Sequence, residues 1–186
     1  MAAESDNDLF ARIGAGDQLA LQTFYGRHHV KVFRFALRLL RSEPSAEDVV
    51  SEVFIDVWRN AAQFEGRSEA SIWLLAIARN KAISILRRRK EVELDEESAA
   101  AIEDDADDPE VALQKKNKGD VLRACLSRLS PQHREVIDLV YYHDKSIEEV
   151  AQIVGAPEGT VKTRMFHARK QLAELAKAAG VDRGWP

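Results

Sequence analysis

Acidic residues are concentrated in one segment of the chain, and this distribution constrains the fold more than any other feature of the sequence. Residues 91–111 contain 11 acidic residues and no basic one, whereas residues 1–90 hold 14 Lys/Arg against 11 Asp/Glu and residues 112–186 hold 13 against 9. Like charges at this density repel one another and favour an extended, disordered chain. The sequence therefore predicts two small, mildly basic domains, residues 1–90 and 112–186, joined by an acidic flexible linker at 91–111.

Apolar residues recur at helical spacing outside the acidic segment, and no stretch alternates as a strand does, so the expected fold class is all-α. In the first domain we predict a short helix ending near Gly14 and Gly16, a long one over residues 17–40, a third that opens at a Ser45/Asp48 capping box, and a fourth over residues 72–89. The expected buried positions of the third helix are Val49, Val50, Val53, Phe54 and Val57. Those of the fourth are Ile72, Leu75, Ala76, Ile83 and Leu86.

The second domain carries the sequence signals of a helix-turn-helix. A helix through "LRACLSRL" ends at Ser130-Pro131, and another follows through "QHREVIDLVYYH". Ser146 and Glu149 form a capping box that opens the short helix "IEEVAQIV". Gly155 then ends that helix, and "GAPEGTVKTRMFHARKQL" supplies the next one. Two helices joined by a tight glycine-containing turn favour DNA binding by the second helix.

The faces of this last helix follow from stepping about 100° per residue. Its buried stripe is predicted to be Val161, Met165, Ala168 and Leu172. The opposite face carries Thr163, Phe166, His167 and Lys170, with Lys162, Arg164 and Arg169 on the flanks and Thr160 near the amino end. Such a face can place short polar groups and one aromatic ring against bases while cations contact phosphates. The alternative is that this is only a basic helix exposed to solvent. The helix-turn-helix context favours a DNA-binding helix over that alternative.

Composition excludes several other classes of protein. Cys125 is the only cysteine, so one chain can build neither a disulfide framework nor a thiolate zinc site, and a reducing compartment is expected. No apolar stretch approaches the roughly 18 residues of a membrane span, and the start "MAAESDNDLF" is not a signal peptide, so we expect a cytoplasmic protein without membrane insertion. The five histidines lack ligand-like spacing, and no glycine-rich phosphate loop or nucleophile motif occurs. We therefore expect no metal, cofactor or catalytic residue.

Both domains resemble those of extracytoplasmic-function sigma factors, which belong to the sigma-70 family. The stretch "LSPQHREVIDLVYYHDKSIEEVAQIVGAPEGTVKTRMFHARKQL" is similar to their region 4, the promoter-binding helix-turn-helix. In the first domain, "AEDVVSEVFIDVW" and "SIWLLAIARNKAISILRRR" resemble regions 2.2 to 2.4 of the region 2 helical bundle. The resemblance implies a bacterial initiation factor that binds core RNA polymerase and directs it to promoter DNA of one class.

The resemblance also implies which residues meet the minus-thirty-five promoter element. At matching positions, Lys162, Thr163, Phe166 and His167 are expected at bases, with Thr160, Arg164 and Arg169 near the DNA backbone. This set overlaps the one chosen from the helical wheel. His167 departs from the family, which often has arginine there, and a neutral imidazole gives a weaker or different base contact.

Two further sites are implied in the first domain. An acidic helix face is expected to bind the polymerase clamp helices, through Glu47, Asp48, Glu52 and Asp56, although acids near a helix amino end are also simply favourable there. When the duplex opens at the minus-ten element, the unstacked bases need aromatic rings on which to stack and cations to hold the DNA strand. The candidates are Phe64, Arg67, Asn80, Lys81, Arg87 and Arg88, with Trp73 and Arg89 nearby. Trp73 is expected to be packed in the core rather than stacked on a base.

The resemblance implies regulation as well. Sigma factors of this kind are commonly held by an anti-sigma factor, and their linker runs through the polymerase cleft; a plain solubilising linker fits the composition equally. One rival function is a sigma-like decoy that captures an anti-sigma factor without binding promoters. Another is a dimeric repressor, for which no heptad seam is apparent. An enzyme is the least expected class.

Overall fold

The computed structural model describes residues 4–64, 69–97 and 118–180. Eight α-helices and no strand occur in these ranges, which confirms the all-α class. Contacts between Cα atoms group the chain into two compact units. The first is formed chiefly by the helices before residue 93, and the second chiefly by those after residue 117. The region between them, residues 98–117, lies outside the described residues, as does most of the predicted linker.

The first unit consists of four helices and one short 3-10 turn. Their bounds are α1 Asp6–Gly14, α2 Gln18–Leu40, α3 Glu43–Asn60, the turn Ala61–Gln63, and α4 Ala70–Glu97. Asp17 caps α2 by accepting hydrogen bonds from the backbone N–H groups of Leu19 and Ala20, and it also pairs with Arg12 of α1 at 2.6 Å. One carboxylate thus caps two N–H groups at the amino end of α2 and also pairs that end with α1.

The predicted capping box at Ser45 and Asp48 is wrong, because α3 begins two residues earlier than Ser45. Ser42 is its N-cap, and the Ser42 hydroxyl oxygen accepts a 3.4 Å hydrogen bond from the Ser45 N–H. Pro44 lies in the first turn, where the N–H that proline lacks has no helical partner to lose. The Ser45 hydroxyl instead accepts a 2.6 Å hydrogen bond from Arg89 of α4.

An aromatic cluster fills the core where α1, α2 and α4 meet. Phe10 is its centre, with ring centroids 4.9 Å from Phe24, 4.5 Å from Phe64 and 5.4 Å from Trp73. Edge-on aromatic pairs at these distances stabilise a core beyond the burial of their area. Trp73 is therefore a packing residue, as the sequence suggested, and Phe64 is held against the same cluster.

The buried side of α4 differs in part from the predicted one. Ile72 and Leu75 are buried, but Ile83 is 37% exposed, and Ala76 and Leu86 are only half-buried. The buried line follows a spacing of four residues, through Ala70, Leu74, Ala78 and Ala82. Ile83 directly follows Ala82 and therefore lies about 100° away from that line around the helix. The helix also continues past Arg89 to Glu97, supported at this end by an Arg87–Glu91 ion pair.

Gly14 is required by a close approach between α1 and the turn after α3. A Cβ atom at this position would lie 2.9 Å from the Ala62 Cα and 3.0 Å from its backbone nitrogen. We expect Gly14→Ala to lower the free energy of unfolding by about 1–3 kcal/mol, because the backbone of the turn must move. Gly26→Ala, in open space within α2, is the matched control and should raise it by about 0.5–1 kcal/mol. Chemical denaturation measures both, and equal effects of the two substitutions would contradict the contact.

The second unit has the predicted helix-turn-helix. Its helices are α5 Lys118–Ser127, α6 Pro131–Tyr141, α7 Ile147–Val154 and α8 Glu158–Ala178. The Ser146/Glu149 capping box is present, with the Ser146 N–H donating to the Glu149 carboxylate at 2.7 Å and the Glu149 N–H donating to the Ser146 hydroxyl at 3.2 Å. These bonds and the charge of Lys145 outweigh desolvation and hold the pKa of Glu149 below its usual value.

The turn between α7 and α8 positions the last helix. Gly155 has φ +65°, a left-handed conformation that favours glycine, and Pro157 directly precedes α8. Val161, Met165, Ala168 and Leu172 are all buried against α5 and α6, which confirms the predicted stripe. Cys125 of α5 is buried, and burial raises the pKa of its thiol.

Candidate nucleic-acid and protein interfaces

The face of α8 opposite its buried stripe is exposed and carries the residues predicted to contact DNA. Arg164 is half-buried; the other six are exposed, namely Thr160, Lys162, Thr163, Phe166, His167 and Arg169. The exposed residues are presented together because every buried residue of this segment lies on the opposite side of one straight helix. An exposed face of this kind, entered from a tight turn, has the geometry of a recognition helix.

Several polar groups on this face already have partners within the protein. The Thr163 hydroxyl donates to the Gly159 carbonyl oxygen at 2.9 Å, and the Lys162 ammonium lies 3.2 Å from the Glu158 carboxylate. The guanidinium of Arg169 lies over the Tyr141 ring, 5.6 Å from its centroid. The Lys162 pair is exposed on both sides, so it is weak and a phosphate or base can replace Glu158.

His167 is part of a small group of rings that joins α6 to α8. Its ring is stacked on that of His133 at 6.4 Å and meets the edge of Phe166 at 5.4 Å. His133 in turn lies 3.3 Å from the Gln171 side-chain oxygen. His133 is absent from the predicted set, because the sequence alone does not bring residue 133 beside residue 167. The rings of His133 and His167 therefore lie beside each other on α6 and α8.

The four acids predicted to bind polymerase are spread across the whole non-buried half of α3. Glu47 and Asp56 are nine residues apart, which places them about 180° apart around the helix. Glu47, Asp48 and Glu52 are exposed, whereas Asp56 is half-buried. The exposed strip of the helix therefore runs through Asp48 and Glu52, with Glu47 and Asp56 at its two edges.

Lys81 links two of these acids to α4. Its ammonium lies 2.7 Å from Asp56 and 3.1 Å from Glu52, and its side chain is only 20% exposed. Burial of the ammonium lowers the pKa of Lys81, but hydrogen bonds and charges from Asp56 and Glu52 outweigh it and leave the pKa above its usual value. Lys81 was predicted to contact promoter DNA; here it is engaged by the residues predicted for the polymerase.

The other residues predicted for the minus-ten element occupy different environments. Phe64 packs on Phe10 and Trp73, while Asn80 is exposed on α4. Arg87 and Arg88 are exposed in the second half of α4, but their neighbour Arg89 donates to the Leu40 carbonyl oxygen at 3.1 Å and to Ser45. Arg67 lies outside the described residues. In the run of three arginines, Arg87 and Arg88 are therefore exposed to solvent, whereas Arg89 is hydrogen-bonded within the protein.

An open groove of about 750 Å³ between α2 and α3 was not predicted. Tyr25, Ile55 and Trp58 are among its walls and are 41%, 47% and 37% exposed. The groove is also lined by Gln18, Leu21, Ser51, Phe54 and Arg59. It borders the exposed strip of α3, because Ile55 lies only about 60° from Glu52 around the helix. The sequence did carry a signal, since Ile55 and Trp58 add apolar side chains to α3 beyond its buried stripe.

No helix in the described ranges is long and apolar enough to cross a membrane. Within the same ranges, no three metal-ligating side chains come together in a way that could hold a metal ion.

Comparison with known proteins gives one consistent family. The sigma-70 region 2 model matches residues 24–92, and the sigma-70 region 4 model matches residues 119–172. The ECF RNA polymerase sigma factor SigL of Mycobacterium tuberculosis is 31% identical over 173 residues, covering 91% of this chain and 96% of SigL. The ECF sigma factor SigK of the same species is 29% identical over 175 residues, covering 90% of this chain and 92% of SigK.

Two solved structures share the fold. The sigma factor RpoE of Bartonella quintana, solved in complex with the anti-sigma factor NepR, has a TM-score of 0.68 and 30% identity, covering 84% of this chain and 96% of that one. CnrH, solved with the cytosolic domain of CnrY, has a TM-score of 0.69 and 24% identity, covering 94% of this chain and 99% of CnrH. The similarity therefore extends over both units.

Proposed function

Because this chain belongs to the extracytoplasmic-function group of sigma-70 family RNA polymerase sigma factors, we propose that it directs core RNA polymerase to one class of promoter through two separately acting domains. The observation that carries the proposal is the exposed face of α8, where cations and one aromatic ring surround a helix entered from a tight turn. The proposed boundaries are residues 1–90 for the polymerase and minus-ten domain, 91–111 for the linker, and 112–186 for the minus-thirty-five domain.

The second domain is proposed to bind the minus-thirty-five element with α8 in the major groove. Lys162, Thr163, Phe166 and His167 would meet base edges, and Thr160, Arg164 and Arg169 would contact the backbone. Phosphate contacts set the register of the helix, while contacts with base edges give sequence selectivity. His133 joins this set as a residue that positions His167.

The first domain is proposed to bind the polymerase through the exposed strip of α3, centred on Asp48 and Glu52, together with the adjoining groove that contains Tyr25, Ile55 and Trp58. An apolar groove beside exposed charges suits an interface in which apolar contact gives affinity and charge gives orientation. Glu47 and Asp56 lie at the edges of this surface, and Asp56 also holds Lys81 in place.

For the minus-ten element, the proposed contacts are Phe64, Arg67, Asn80, Lys81, Arg87 and Arg88. Arg87 and Arg88 are exposed and suited to phosphates, and Asn80 can donate to and accept from a base. Lys81 can take part only after it exchanges Glu52 or Asp56 for a phosphate. Phe64 can stack on a base only with the part of its ring that the Phe10 cluster leaves uncovered.

Three further features complete the proposal. The similarity to a sigma factor solved with an anti-sigma factor supports control of this chain by such a partner. The protein is proposed to act in the cytoplasm, where the polymerase is. It is proposed to have no catalytic activity of its own, since nucleotide transfer belongs to the polymerase.

Transcription by the purified chain with core RNA polymerase on a pool of random promoters tests the proposal. We expect selective initiation from templates that share two elements separated by a spacer of fixed length. The rival decoy function predicts an anti-sigma complex without initiation on any template. Such a result, with a folded protein that still binds core polymerase, would contradict the proposed function.

A further inference from the structure

Phe166 is the most exposed large apolar side chain in the described part of the second unit, with 64% of its surface accessible. It lies on the DNA-facing side of α8, among Lys162, Thr163 and His167. The His167 ring lies roughly perpendicular to the Phe166 ring, with centroids 5.4 Å apart, and leaves most of the Phe166 side chain accessible. The ring of Phe166 is therefore accessible to an apolar group of a ligand that binds this face.

The neighbouring Thr163 side chain can also offer an apolar group, its methyl, to a ligand on this face. Thr163 is three residues earlier, hence adjacent on the helix surface. Its only hydroxyl hydrogen is directed to the Gly159 carbonyl oxygen at 2.9 Å. Thr163 can therefore accept a hydrogen bond or offer its methyl group, but it can donate only by giving up the bond to Gly159. Together, Thr163 and Phe166 form an apolar spot within the polar face.

Base chemistry allows one apolar partner for such a spot. In the major groove, guanine, adenine and cytosine present hydrogen-bonding atoms, whereas thymine adds a C5-methyl group. That methyl is the apolar group of the major groove that a phenyl ring can contact selectively. We propose that Phe166, assisted by Thr163, selects thymine at one or two positions of the minus-thirty-five element through the C5-methyl. This inference rests on the proposed promoter recognition and specifies its chemistry.

Replacing thymine by deoxyuridine tests the inference, because it removes the methyl and leaves every hydrogen-bonding atom in place. Holoenzyme made from the full chain and core polymerase is bound to duplexes carrying the selected element, with each thymine replaced in turn. We expect deoxyuridine to weaken binding about 4-fold at the position contacted by Phe166, the effect of burying about one methyl-sized group. At positions away from the contact it should have no effect.

The protein side of the test uses Phe166→Ala. This variant should bind the thymine duplex more weakly and lose the 4-fold response to deoxyuridine, so that the two changes are not additive. Lys170→Ala, on the same face, is the matched control and should keep the full response. Since Phe166 is largely exposed, thermal unfolding of Phe166→Ala should match that of the wild-type chain, which shows that the variant is folded.

A second DNA substitution separates the methyl from the hydrogen-bonding pattern. At the contacted position, cytosine should weaken binding more than deoxyuridine does, and 5-methylcytosine should recover part of that loss with wild-type protein but not with Phe166→Ala. Selective initiation that is indifferent to every deoxyuridine replacement would overturn the thymine inference alone. Absence of selective initiation on any template would overturn the proposed function as well, so the two failures are distinguishable.

Discussion

Replacing both Lys162 and His167 by alanine is expected to lower promoter-specific transcription about 100-fold while leaving binding to core RNA polymerase unchanged. Both residues are exposed on the face of α8 that we propose meets DNA, and neither belongs to the buried stripe of that helix. A good contact with a base edge is worth about 1–3 kcal/mol of discrimination, so the loss of two gives an effect of this order. Lys162 must first leave Glu158, but that exposed pair costs little to break.

The measurement is transcription from the selected promoter, together with retention of core polymerase by each variant. Lys177→Ala is the matched control, because it removes a cation from the last turn of the same helix, away from the proposed DNA contacts. We expect it to transcribe like the wild-type chain. If the double variant initiates as well as Lys177→Ala does, the assignment of bases to this face of α8 is wrong.

Changing Asp48 and Glu52 together to lysine is expected to weaken the complex with core polymerase at least about 10-fold. The substitution places two cations on the exposed strip of α3, and like charges brought together across an interface cost several kcal/mol. The unit itself should remain folded, because Asp48 and Glu52 are exposed and Asp56 still holds Lys81 at 2.7 Å. Equilibrium binding of the full chain to core polymerase gives the affinity.

A graded set of variants distinguishes charge from shape at this surface. Asp48→Asn with Glu52→Gln removes the charges but keeps the size of the side chains, so it should weaken binding less than the lysine pair. Glu174→Lys, at an exposed position of α8, tests whether an added cation elsewhere has the same effect. Unchanged binding of the lysine pair would reject this strip as the docking surface. A loss in Glu174→Lys as large as in the lysine pair would show a general effect of net charge.

The features predicted correctly from the sequence depend on neighbours along the chain. The buried stripe of α8, the capping box at Ser146 and Glu149, and the stop at Gly155 follow from helical periodicity and local hydrogen bonds. The start of α3 was placed wrongly although it too is local. Ser42 and Ser45 are both good N-caps, and Pro44 together with the tie from Arg89 decides in favour of Ser42.

The partners of the charged side chains could not be predicted in this way. Lys81 lies 25 residues or more from both of its carboxylate partners in sequence, and Arg89 is anchored by residues more than 40 positions away. Lys81 and Arg89 were both candidates for DNA contacts because they are cationic. The sequence does not show which cationic side chains are already paired within the protein. The groove at Tyr25, Ile55 and Trp58 likewise exists only because α2 and α3 pack side by side.

The sequence by itself determined the all-α class, the helix-turn-helix and the exposed face of α8, because helix periodicity and end signals act over a few residues and need no knowledge of the rest of the chain. Only the tertiary structure decided which cations are engaged, that Asp56 is half-buried beside Lys81, and that the rings of His133 and His167 lie beside each other. The physical reason is that pairing and burial depend on distances between helices, and these distances are set by the packing of small and large side chains in the core.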